Sequence, residues 1–470
     1  MSASTSPMIV DPAAAARAVA ALGDLLPAGR VVVDPGVTEA YRHDQAALVR
    51  GGRPCAVVRP ESADEVAAAM RTAGAHGVPV VTRGAGSGLS GGAAAIEGAL
   101  VLSTEAMTAI AEIDTESLTA TVQAGVVNGD LAAAAAERGL WYPPDPASRA
   151  YCTIGGNIAT NAGGLCCVKY GVTRESVLGL TAVTGAGEVL RVGGATVKRV
   201  AGLDLLSLLV GSEGTLAVVT EAVLRLRPVP AAPLTGAAYF PSLVAAGDAV
   251  VGMAEERTNP SLLELIDRPT LAAVEAWRRL DLDLSAAALV LFQSDLPGAA
   301  RHEELARMTR ACERAGATMV VAAEDEVESA MLMEVRRLCF PALERRGATL
   351  LEDVGVPRAR VPALLGAIQA VAADTGAQIA TFGHAGDGNM HPTIVFDRDD
   401  PALVARAEAA AGGIFDAALA LGGTITGEHG VGTLKLPWLE REVGPVARRL
   451  SADIKRAFDP AGILNPGRAI

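Results

Sequence analysis

Five clusters of glycine constrain the fold of this chain more than any other feature of its sequence. Glycine accounts for 51 of the 470 residues and concentrates at 84–92, 155–171, 211–214, 383–388 and 422–432. Because glycine has no side chain, such runs let the backbone approach a ligand closely or turn with positive φ. We therefore expect the chemistry of the protein in these clusters.

The segments between the clusters alternate between helical and β patterns, and one proline-rich stretch divides them. Arg227–Pro233 contains three prolines in seven residues and predicts a domain boundary. Beyond it we predict helices near 242–257, 299–315, 329–346, 358–374 and 401–420, and strands at 287–293, 348–354, 377–383 and 390–396.

The pattern predicts an α+β protein of two domains, the first of them discontinuous. We expect the first domain at 1–228, with its core at about 50–228, and a second domain at 229–420. The glycine-rich segment 421–470 is expected to return to the first domain and complete the active site.

Composition excludes several classes of protein. The chain has 40 basic and 53 acidic residues, a net charge of −13, which argues against non-specific binding to nucleic acid or anionic lipid. No apolar run reaches the roughly 18 residues of a spanning helix. Met1–Pro12 lacks the basic and apolar regions of a secretory signal, and none of the six cysteines forms a Cys-x-x-Cys pair. A soluble cytoplasmic protein without an iron–sulfur motif is expected.

The first glycine cluster predicts a phosphate-binding loop. Its formal Gly-x-Gly-x-x-Gly pattern falls at Gly86, Gly88 and Gly91, but only Ala93–Glu97 separates it from the next β run. That segment is too short for the crossover helix of a dinucleotide-binding Rossmann unit, which disfavours a nicotinamide dehydrogenase. Exposed backbone N–H groups of such a loop can still bind a pyrophosphate. The alternative is a tight glycine turn.

The fourth cluster predicts a metal site. Glycine density excludes a helix around His384 and His391, and Asp387-Gly388 is a preferred two-residue hairpin turn. Such a hairpin would place the two histidines directly opposite each other, where both rings reach one ion. In the fifth cluster, Glu428 and His429 could supply a third ligand and an acid/base. The alternative for each histidine alone is an ordinary core or surface residue.

Several motifs in a fixed order resemble those of one enzyme family. They are Arg83-Gly-Ala-Gly-Ser-Gly-Leu-Ser-Gly-Gly92, Pro143-Pro-Asp-Pro146, Thr153-Ile-Gly-Gly-Asn157, Gly211-Ser-Glu-Gly-Thr215, Gly383-His-Ala-Gly-Asp-Gly-Asn-Met-His391 and Gly427-Glu-His-Gly-Val-Gly432. The chain resembles FAD-linked oxidases with the vanillyl-alcohol-oxidase fold over nearly its whole length. Within them it is similar to the branch that contains the FAD subunit of glycolate oxidase, D-lactate dehydrogenase and D-2-hydroxyglutarate dehydrogenase.

The resemblance implies a PCMH-type FAD-binding domain, an α+β cap domain and a set of site residues. It makes His384, His391 and Glu428 ligands of one divalent metal (zinc, manganese or iron), His429 the base, and Arg336 the residue that binds the substrate carboxylate. The FAD-binding residues that it implies are Arg83, Gly84, Ala85, Gly86, Ser87, Gly88, Leu89, Pro144, Asp145, Thr153, Gly155, Gly156, Asn157, Ala159, Asn161, Gly163, Gly164, Gly214, Val219 and Asn465.

Two departures from the family pattern refine this expectation. Members with covalent FAD carry a histidine where this chain has Ser87, so the FAD is expected to be non-covalent. The family's 2-hydroxyglutarate dehydrogenases carry a His-x-Asn motif where the expected metal-binding hairpin ends, whereas this chain has His391-Pro-Thr393. That difference favours a smaller substrate of the glycolate or D-lactate type.

The expected function is therefore FAD-dependent oxidation of a D-2-hydroxy acid to the 2-oxo acid. Electrons would pass to a separate acceptor: a quinone, a cytochrome, an electron-transfer flavoprotein or an iron–sulfur subunit, and the protein could lie at the inner membrane through it. Alternatives are D-2-hydroxyglutarate dehydrogenase activity and the FAD subunit of a multi-subunit glycolate oxidase. A metallohydrolase using His384, His391 and Glu428 is the alternative from another class of enzyme. A purified flavoprotein is yellow and a hydrolase is not, so the colour of the protein distinguishes the two.

Overall fold

Residues 10–470 are described by a computed structural model of the chain. Met1–Ile9 lies outside the described residues and includes most of Met1–Pro12, the segment predicted to lack a secretory signal. The strands are β1 (Val31–Val32), β2 (Ala56–Val58), β3 (Val80–Arg83), β4 (Leu100–Ser103), β5 (Ile110–Asp114), β6 (Thr119–Gln123), β7 (Leu140–Trp141), β8 (Val177–Thr184), β9 (Val189–Gly193), β10 (Ala217–Arg225), β11 (Arg227–Pro228), β12 (Leu234–Phe240), β13 (Leu262–Asp267), β14 (Ala288–Ser294), β15 (Met319–Ala322), β16 (Ala348–Leu351), β17 (Val354–Gly355), β18 (Gln378–His384) and β19 (Asn389–Phe396).

The helices interleave with these strands along the whole described chain. They are α1 (Pro12–Leu25), α2 (Pro35–Glu39), α3 (Ala63–His76), α4 (Asn128–Ala136), α5 (Ile154–Thr160), α6 (Cys167–Tyr170), α7 (Thr173–Ser176), α8 (Leu205–Leu209), α9 (Leu243–Glu255), α10 (Arg268–Arg278), α11 (Ala299–Arg314), α12 (Glu326–Glu344), α13 (Val361–Thr375), α14 (Pro401–Ala420) and α15 (Leu436–Phe458), with a short 3₁₀ turn at Arg358–Arg360.

The chain divides into two units by its internal contacts. The first contains residues 10–163, 172–229 and 428–470, and the second contains 164–171 and 230–427. The first unit is thus built from separate stretches of sequence, and the division after residue 229 falls within the proline-rich stretch. Segment 421–427 lies with the second unit. Residues 164–171 also lie there, because Lys169 and Tyr170 both bind the carboxylate of Asp295.

The first unit contains a four-stranded sheet of order β1-β2-β4-β3 and a five-stranded sheet of order β5-β6-β10-β8-β9. Helix α3 covers the first sheet: Ser62 caps it by accepting from Glu65 N at 3.2 Å, and Gly77 ends it at φ 64°. Strands β3 and β4 pair in parallel, and no helix lies between them. The glycine loop 84–99 is therefore the whole crossover, as the sequence predicts.

The second unit is built on one sheet with the strand order β15-β12-β14-β13-β18-β19-β16, to which β17 adds by pairing with β19. Helices α10 and α12 contribute apolar side chains to a core with β12, β13 and β14, including Leu271, Val274 and Met333. The sheet places β13 and β18 side by side, antiparallel. Every predicted helix and strand of this region has a counterpart here, but β12, β13, β15 and α10 were not predicted.

The hairpin of β18 and β19 differs in register from the sequence prediction. His384 pairs with Asn389, and His391 pairs with Phe382, so the connection spans residues 385–388. The turn is longer because Gly386 N donates to Leu263 O at 3.0 Å, and Gly388 N donates to His384 O at 3.1 Å. The predicted two-residue turn is therefore wrong. The two-residue shift nevertheless leaves both histidines on one face of the sheet.

Within 10–470, none of the helices combines the length and the apolar character needed to cross a bilayer.

Candidate active site

Four of the five glycine clusters and the C-terminal segment contribute residues to one cavity in the first unit. The predicted cofactor-binding residues that line it are Arg83, Gly84, Ala85, Gly86, Ser87, Gly88, Leu89, Thr153, Gly155, Gly156, Asn157, Ala159, Gly163, Gly214, Val219 and Asn465. Glu428 and His429 also line it. The predicted base thus lies at the same cavity as the predicted cofactor loops, within one unit of the structure.

Thr153 supplies a polar atom that fits a ligand in this cavity. Its Oγ1 is buried and makes no hydrogen bond within the described part of the chain. A Cβ on Gly84 would lie 2.3 Å from that oxygen, so any larger residue there would close the space next to Thr153. A buried hydroxyl at the wall of a cavity, beside a loop of glycine amides, fits a large polar cofactor such as FAD.

Asn465 ties the end of strand β3 to the Gly211–Thr215 loop. Its Oδ1 accepts from Thr82 N at 2.8 Å, and its Nδ2 donates to Thr82 Oγ1 at 2.9 Å and to Glu213 O at 2.8 Å. The side chain is buried. One amide near the C-terminus therefore holds two walls of the cavity together.

Glu213 positions the segment that carries Glu428 and His429. The sequence did not predict this role of Glu213. Its carboxylate accepts from Val431 N at 2.7 Å and from Gly432 N at 2.8 Å. Burial raises the pKa of this carboxyl, although the two amides act in the opposite direction. Glu213 also has φ 50°, a strained conformation for a residue other than glycine. An acidic residue inside a glycine cluster was the available signal.

Four predicted FAD-binding residues are not among those that line the cavity. Pro144 O accepts from Asn128 Nδ2 at 3.2 Å, and Asn161 ends helix α5 at φ 53° while its Oδ1 accepts from Arg174 N. Gly164 lies in the second unit. Asp145 lies between two lining regions of the chain. Other lining residues that the sequence did not predict are Thr82, Ser90, Gly92, Ala93, Thr104, Pro146, Ala147, Ser148, Thr160, Ala162, Leu209, Ser212, Glu213, Ala217 and Val218.

The second unit holds a buried cluster centred on Glu264 of strand β13. This side chain is fully buried. Its Oε1 lies 2.7 Å from His384 Nδ1, and its Oε2 forms an ion pair with Arg336 Nε. Burial alone would raise the pKa of Glu264, but His384 and Arg336 together lower it below the ordinary value. One carboxylate thus contacts both a predicted metal ligand and the predicted substrate-binding arginine.

The two histidines of the hairpin meet in this cluster. The ring centroids of His384 and His391 are 5.0 Å apart with an interplanar angle of 90°. The guanidinium of Arg336 lies 4.9 Å from the centroid of the Phe382 ring. The sequence prediction that the histidines come together therefore agrees with this unit's structure, even though their register differs.

The donor set of this cluster fits a divalent metal ion. Two imidazoles are typical ligands of zinc, manganese and iron. A carboxylate that accepts from Nδ1 of His384 leaves Nε2 as the ligating nitrogen, which is the usual outer-shell arrangement of metal-binding histidines. Asp353 is also buried nearby: its Oδ1 lies 3.8 Å from His391 Nδ1, and its Oδ2 accepts from Gly427 N at 2.9 Å. That Glu428 joins this set remains a prediction.

Two family descriptions match the sequence and together span most of it. "FAD linked oxidases, C-terminal domain" matches residues 229–469, and "FAD binding domain" matches residues 54–193.

Three similar curated proteins match this chain over most of their own length. Glycolate oxidase subunit GlcD of Bacillus subtilis (strain 168) is 42% identical over 94% of this chain and 92% of its own. The protein of the same name from Escherichia coli (strain K12) is 37% identical over 89% of this chain and 84% of its own. D-lactate dehydrogenase of Archaeoglobus fulgidus is 36% identical over 92% of this chain and 96% of its own.

Solved structures share the fold at low sequence identity. p-Cresol methylhydroxylase with substrate bound is similar with a TM-score of 0.82 and 20% identity, covering 98% of both chains. 4-Ethylphenol oxidase from Gulosibacter chungangensis is similar with a TM-score of 0.79 and 20% identity, again covering 98% of both. Together with the matched FAD binding domain, these likenesses confirm the predicted fold class, an α+β flavoprotein fold of the PCMH type.

Proposed function

Because this chain belongs to the family of FAD-linked oxidases, we propose that it oxidises a small D-2-hydroxy acid, of the D-lactate or glycolate type, to the 2-oxo acid. The proposal takes its substrate class from relatives named as glycolate oxidase subunits and D-lactate dehydrogenases. Their identities of 36–42% extend over nearly all of the chain.

The observation that carries the proposal is that Arg336 and His384 share the carboxylate of Glu264, with the ring of His391 beside that of His384. A 2-hydroxy acid has a carboxylate and an adjacent hydroxyl, and these need different partners. The guanidinium fork of Arg336 suits the carboxylate, because it donates two parallel hydrogen bonds with fixed geometry. A divalent ion held by imidazoles suits the hydroxyl oxygen. The cluster supplies both within one unit of the structure.

Each residue then has a role that follows from its chemistry. Arg336 binds the carboxylate and so fixes which face of the substrate carbon is presented. A ring nitrogen of His429 takes the hydroxyl proton, since a neutral imidazole can act as a general base. His384 and His391, with Glu428 as the proposed third ligand, hold the metal. These assignments of Glu428 and His429 rest on the sequence motifs.

The two bound groups supply the rest of the chemistry. FAD, when bound, accepts the hydride from the carbon that carries the hydroxyl. A divalent metal, when bound, lowers the pKa of the substrate hydroxyl. We propose that the FAD is non-covalent, because Ser87 in the cavity loop has no ring nitrogen for attachment.

A separate acceptor must reoxidise the flavin. We propose a quinone, a cytochrome, an electron-transfer flavoprotein or an iron–sulfur subunit, since the sequence contains no Cys-x-x-Cys motif. The names of the Bacillus and Escherichia relatives favour a specific form of this proposal, in which the chain is the FAD subunit of a multi-subunit glycolate oxidase. We place the protein in the cytoplasm, in contact with such an acceptor.

Anaerobic flavin reduction tests the proposal. The purified holoenzyme is mixed with D- and L-lactate, glycolate and D-2-hydroxyglutarate, and bleaching of the visible flavin band is followed. We expect fast reduction by D-lactate or glycolate and slow reduction by L-lactate. If none of these acids reduces the flavin, or if L-lactate is as fast as D-lactate, the proposed substrate class is wrong.

A charge-preserving substitution tests the assignment of the carboxylate. Arg336→Lys keeps the positive charge but loses the planar fork, so the KM for D-lactate or glycolate should rise roughly tenfold or more. The neighbouring Arg337 is exposed, and Arg337→Lys is the matched control that should keep the wild-type KM. An Arg336→Lys variant with unchanged KM would remove Arg336 from the substrate site.

A further inference from the structure

We propose that Glu264 is a positioning residue that uses the two oxygens of one carboxylate to orient a metal ligand, His384, and the substrate-binding Arg336 together. The inference rests on the proposed function, which gives those two residues their roles. It adds that metal binding and substrate binding depend on the same buried side chain.

The geometry that points to this role lies within the second unit. Glu264 is on β13, His384 is on the adjacent strand β18, and Arg336 is on helix α12. Oε1 lies 2.7 Å from His384 Nδ1 while Oε2 pairs with Arg336 Nε. The carboxylate is 0% exposed, and Arg336 is 9% exposed. A fully buried carboxylate in this position is held by both partners and in turn restricts both of them.

Each contact has a specific consequence for its partner. When Nδ1–H of His384 donates to Oε1, the tautomer is set and Nε2 becomes the atom that can bind a metal. When Nε–H of Arg336 donates to Oε2, the guanidinium plane is fixed, with the Phe382 ring 4.9 Å from its central carbon. The fork that would bind a carboxylate is then held in one orientation before substrate arrives.

Replacement by glutamine separates this role from simple filling of space. Glutamine has nearly the same shape but offers one oxygen acceptor and one NH₂ donor. Two donors, Nε–H of Arg336 and Nδ1–H of His384, would then compete for one acceptor. If the amide NH₂ faces His384, it favours the tautomer that cannot ligate through Nε2. If it faces Arg336, two donors oppose each other and the guanidinium must turn away.

Strand β13 also provides a matched control. Asp267 is 4% exposed, and its carboxylate binds Thr270 and Thr381 N without contacting His384 or Arg336. Asp267→Asn therefore replaces a buried carboxyl group on the same strand and leaves the contacts of His384 and Arg336 in place. A general disturbance of β13 would affect both variants, whereas the positioning role belongs to Glu264 alone.

The experiment measures zinc binding and steady-state kinetics in the full-length, FAD-loaded protein. Each protein is first depleted of metal and then dialysed against graded Zn²⁺, and bound zinc per FAD is determined by elemental analysis. We expect Glu264→Gln to weaken zinc binding by roughly 10–100-fold, the usual effect of losing an outer-shell partner. At saturating zinc its KM for D-lactate or glycolate should rise more than its kcat falls. Asp267→Asn should keep both the zinc affinity and the KM.

Glu264→Asp provides the conservative rescue. Aspartate keeps two acceptor oxygens but is shorter by one methylene, so its zinc affinity and KM should fall between those of the wild type and Glu264→Gln. If Glu264→Gln does not fold with FAD, the aspartate variant decides: weaker zinc binding and a higher KM than the wild type support the proposal, and wild-type values overturn it. The proposal is also overturned if Glu264→Gln matches the wild type within twofold in both measurements, or if Asp267→Asn loses as much zinc affinity.

The zinc measurement does not require turnover, so the two failures are distinguishable. A wild type that binds zinc but is not reduced by any 2-hydroxy acid would sink the proposed function and leave the link between Glu264 and His384 to be decided by zinc affinity. A wild type that binds zinc no better than His384→Ala would overturn the metal half of the inference. Activity that survives complete zinc removal would show that the reaction does not need the metal.

Discussion

Asp267 gives the most quantitative prediction, because its folded-state pKa lies near neutrality. The side chain is buried at the end of β13, where its carboxylate caps helix α10 by accepting from Thr270 N at 2.9 Å and also accepts from Thr381 N at 2.7 Å. Burial raises its pKa from 3.8 to about 7 and outweighs these hydrogen bonds, which act to lower it. Asp267 should therefore make the stability of the second unit depend on pH between about 4 and 7.

The sign and size of this dependence follow from linkage. The folded state keeps a proton on Asp267 that the unfolded state has already released above about pH 4, so stability falls as pH rises towards 7. At about 1.36 kcal/mol per pH unit, the difference between 3.8 and about 7 corresponds to about 4 kcal/mol in full. Between pH 5 and pH 8, about 3 kcal/mol of this contribution should be lost.

Asp267→Asn tests this prediction, since asparagine does not ionise. The free energy of unfolding in urea is measured for both proteins at pH 5 and pH 8, using the fluorescence change that includes Trp277 on helix α10. The wild-type value minus the variant value should fall by about 3 kcal/mol from pH 5 to pH 8. Taking this double difference cancels every other titrating group.

The exposed Asp248 on helix α9 provides the control, and Asp248→Asn should leave the same difference nearly constant. A constant difference for Asp267→Asn, within about 0.5 kcal/mol, would show that the carboxylate is not held protonated in the folded protein. The reasoning from burial would then be wrong.

Four further predictions concern the cavity and the base. His429→Asn should keep FAD but slow flavin reduction roughly 10²–10⁴-fold in stopped-flow traces, the usual loss for a general base, and a wild-type rate would exclude this role. Acid precipitation should release all yellow colour into the supernatant, because Ser87 offers no attachment; flavin retained in the washed pellet would show a covalent bond. Thr153→Val should weaken FAD binding roughly tenfold in a fluorescence titration, and an unchanged affinity would mean that its hydroxyl does not contact FAD. Glu213→Gln removes one of two oxygens that hold Val431 and the next amide, so it should slow flavin reduction while FAD content stays constant; equal rates would refute a positioning role.

Sequence reasoning singled out the glycine loops that line the cavity because their signal is local. Glycine density between two β runs is visible in the sequence, and the absence of a helix between Arg83 and Leu100 follows from the length of the segment. The family motifs add an order that chance rarely produces. Most residues expected at the cofactor therefore line one cavity.

The register of the hairpin formed by β18 and β19 could not be obtained in the same way. Asp387-Gly388 favours a two-residue turn, but the bond from Gly386 N to Leu263 O draws the connection into a longer loop. That contact comes from a distant strand and leaves no local trace in the sequence. The histidines still meet because a two-residue slip preserves the face on which a side chain lies.

Strand β13 was missed for a related reason. Leu262–Asp267 contains two acidic residues in six, a composition that disfavours a buried strand. Both acids are nevertheless buried, because each has partners that only the tertiary fold supplies. Since β13 was not predicted, neither was Glu264, the side chain at the centre of the candidate site.

These two carboxylates on one strand show how partners, rather than burial, decide what a buried acid does. Glu264 and Asp267 are three residues apart and therefore lie on opposite faces of the sheet. Burial acts on both in the same direction, yet the pKa of Glu264 is lowered and that of Asp267 is raised. Glu264 faces a guanidinium and an imidazole, whereas the hydrogen bonds to Asp267 come from neutral donors. A charged Glu264 can orient the guanidinium of Arg336 and the imidazole of His384, while a charge at Asp267 costs stability when it forms. Removing the charge should therefore weaken the site at Glu264 but relieve a cost above pH 7 at Asp267.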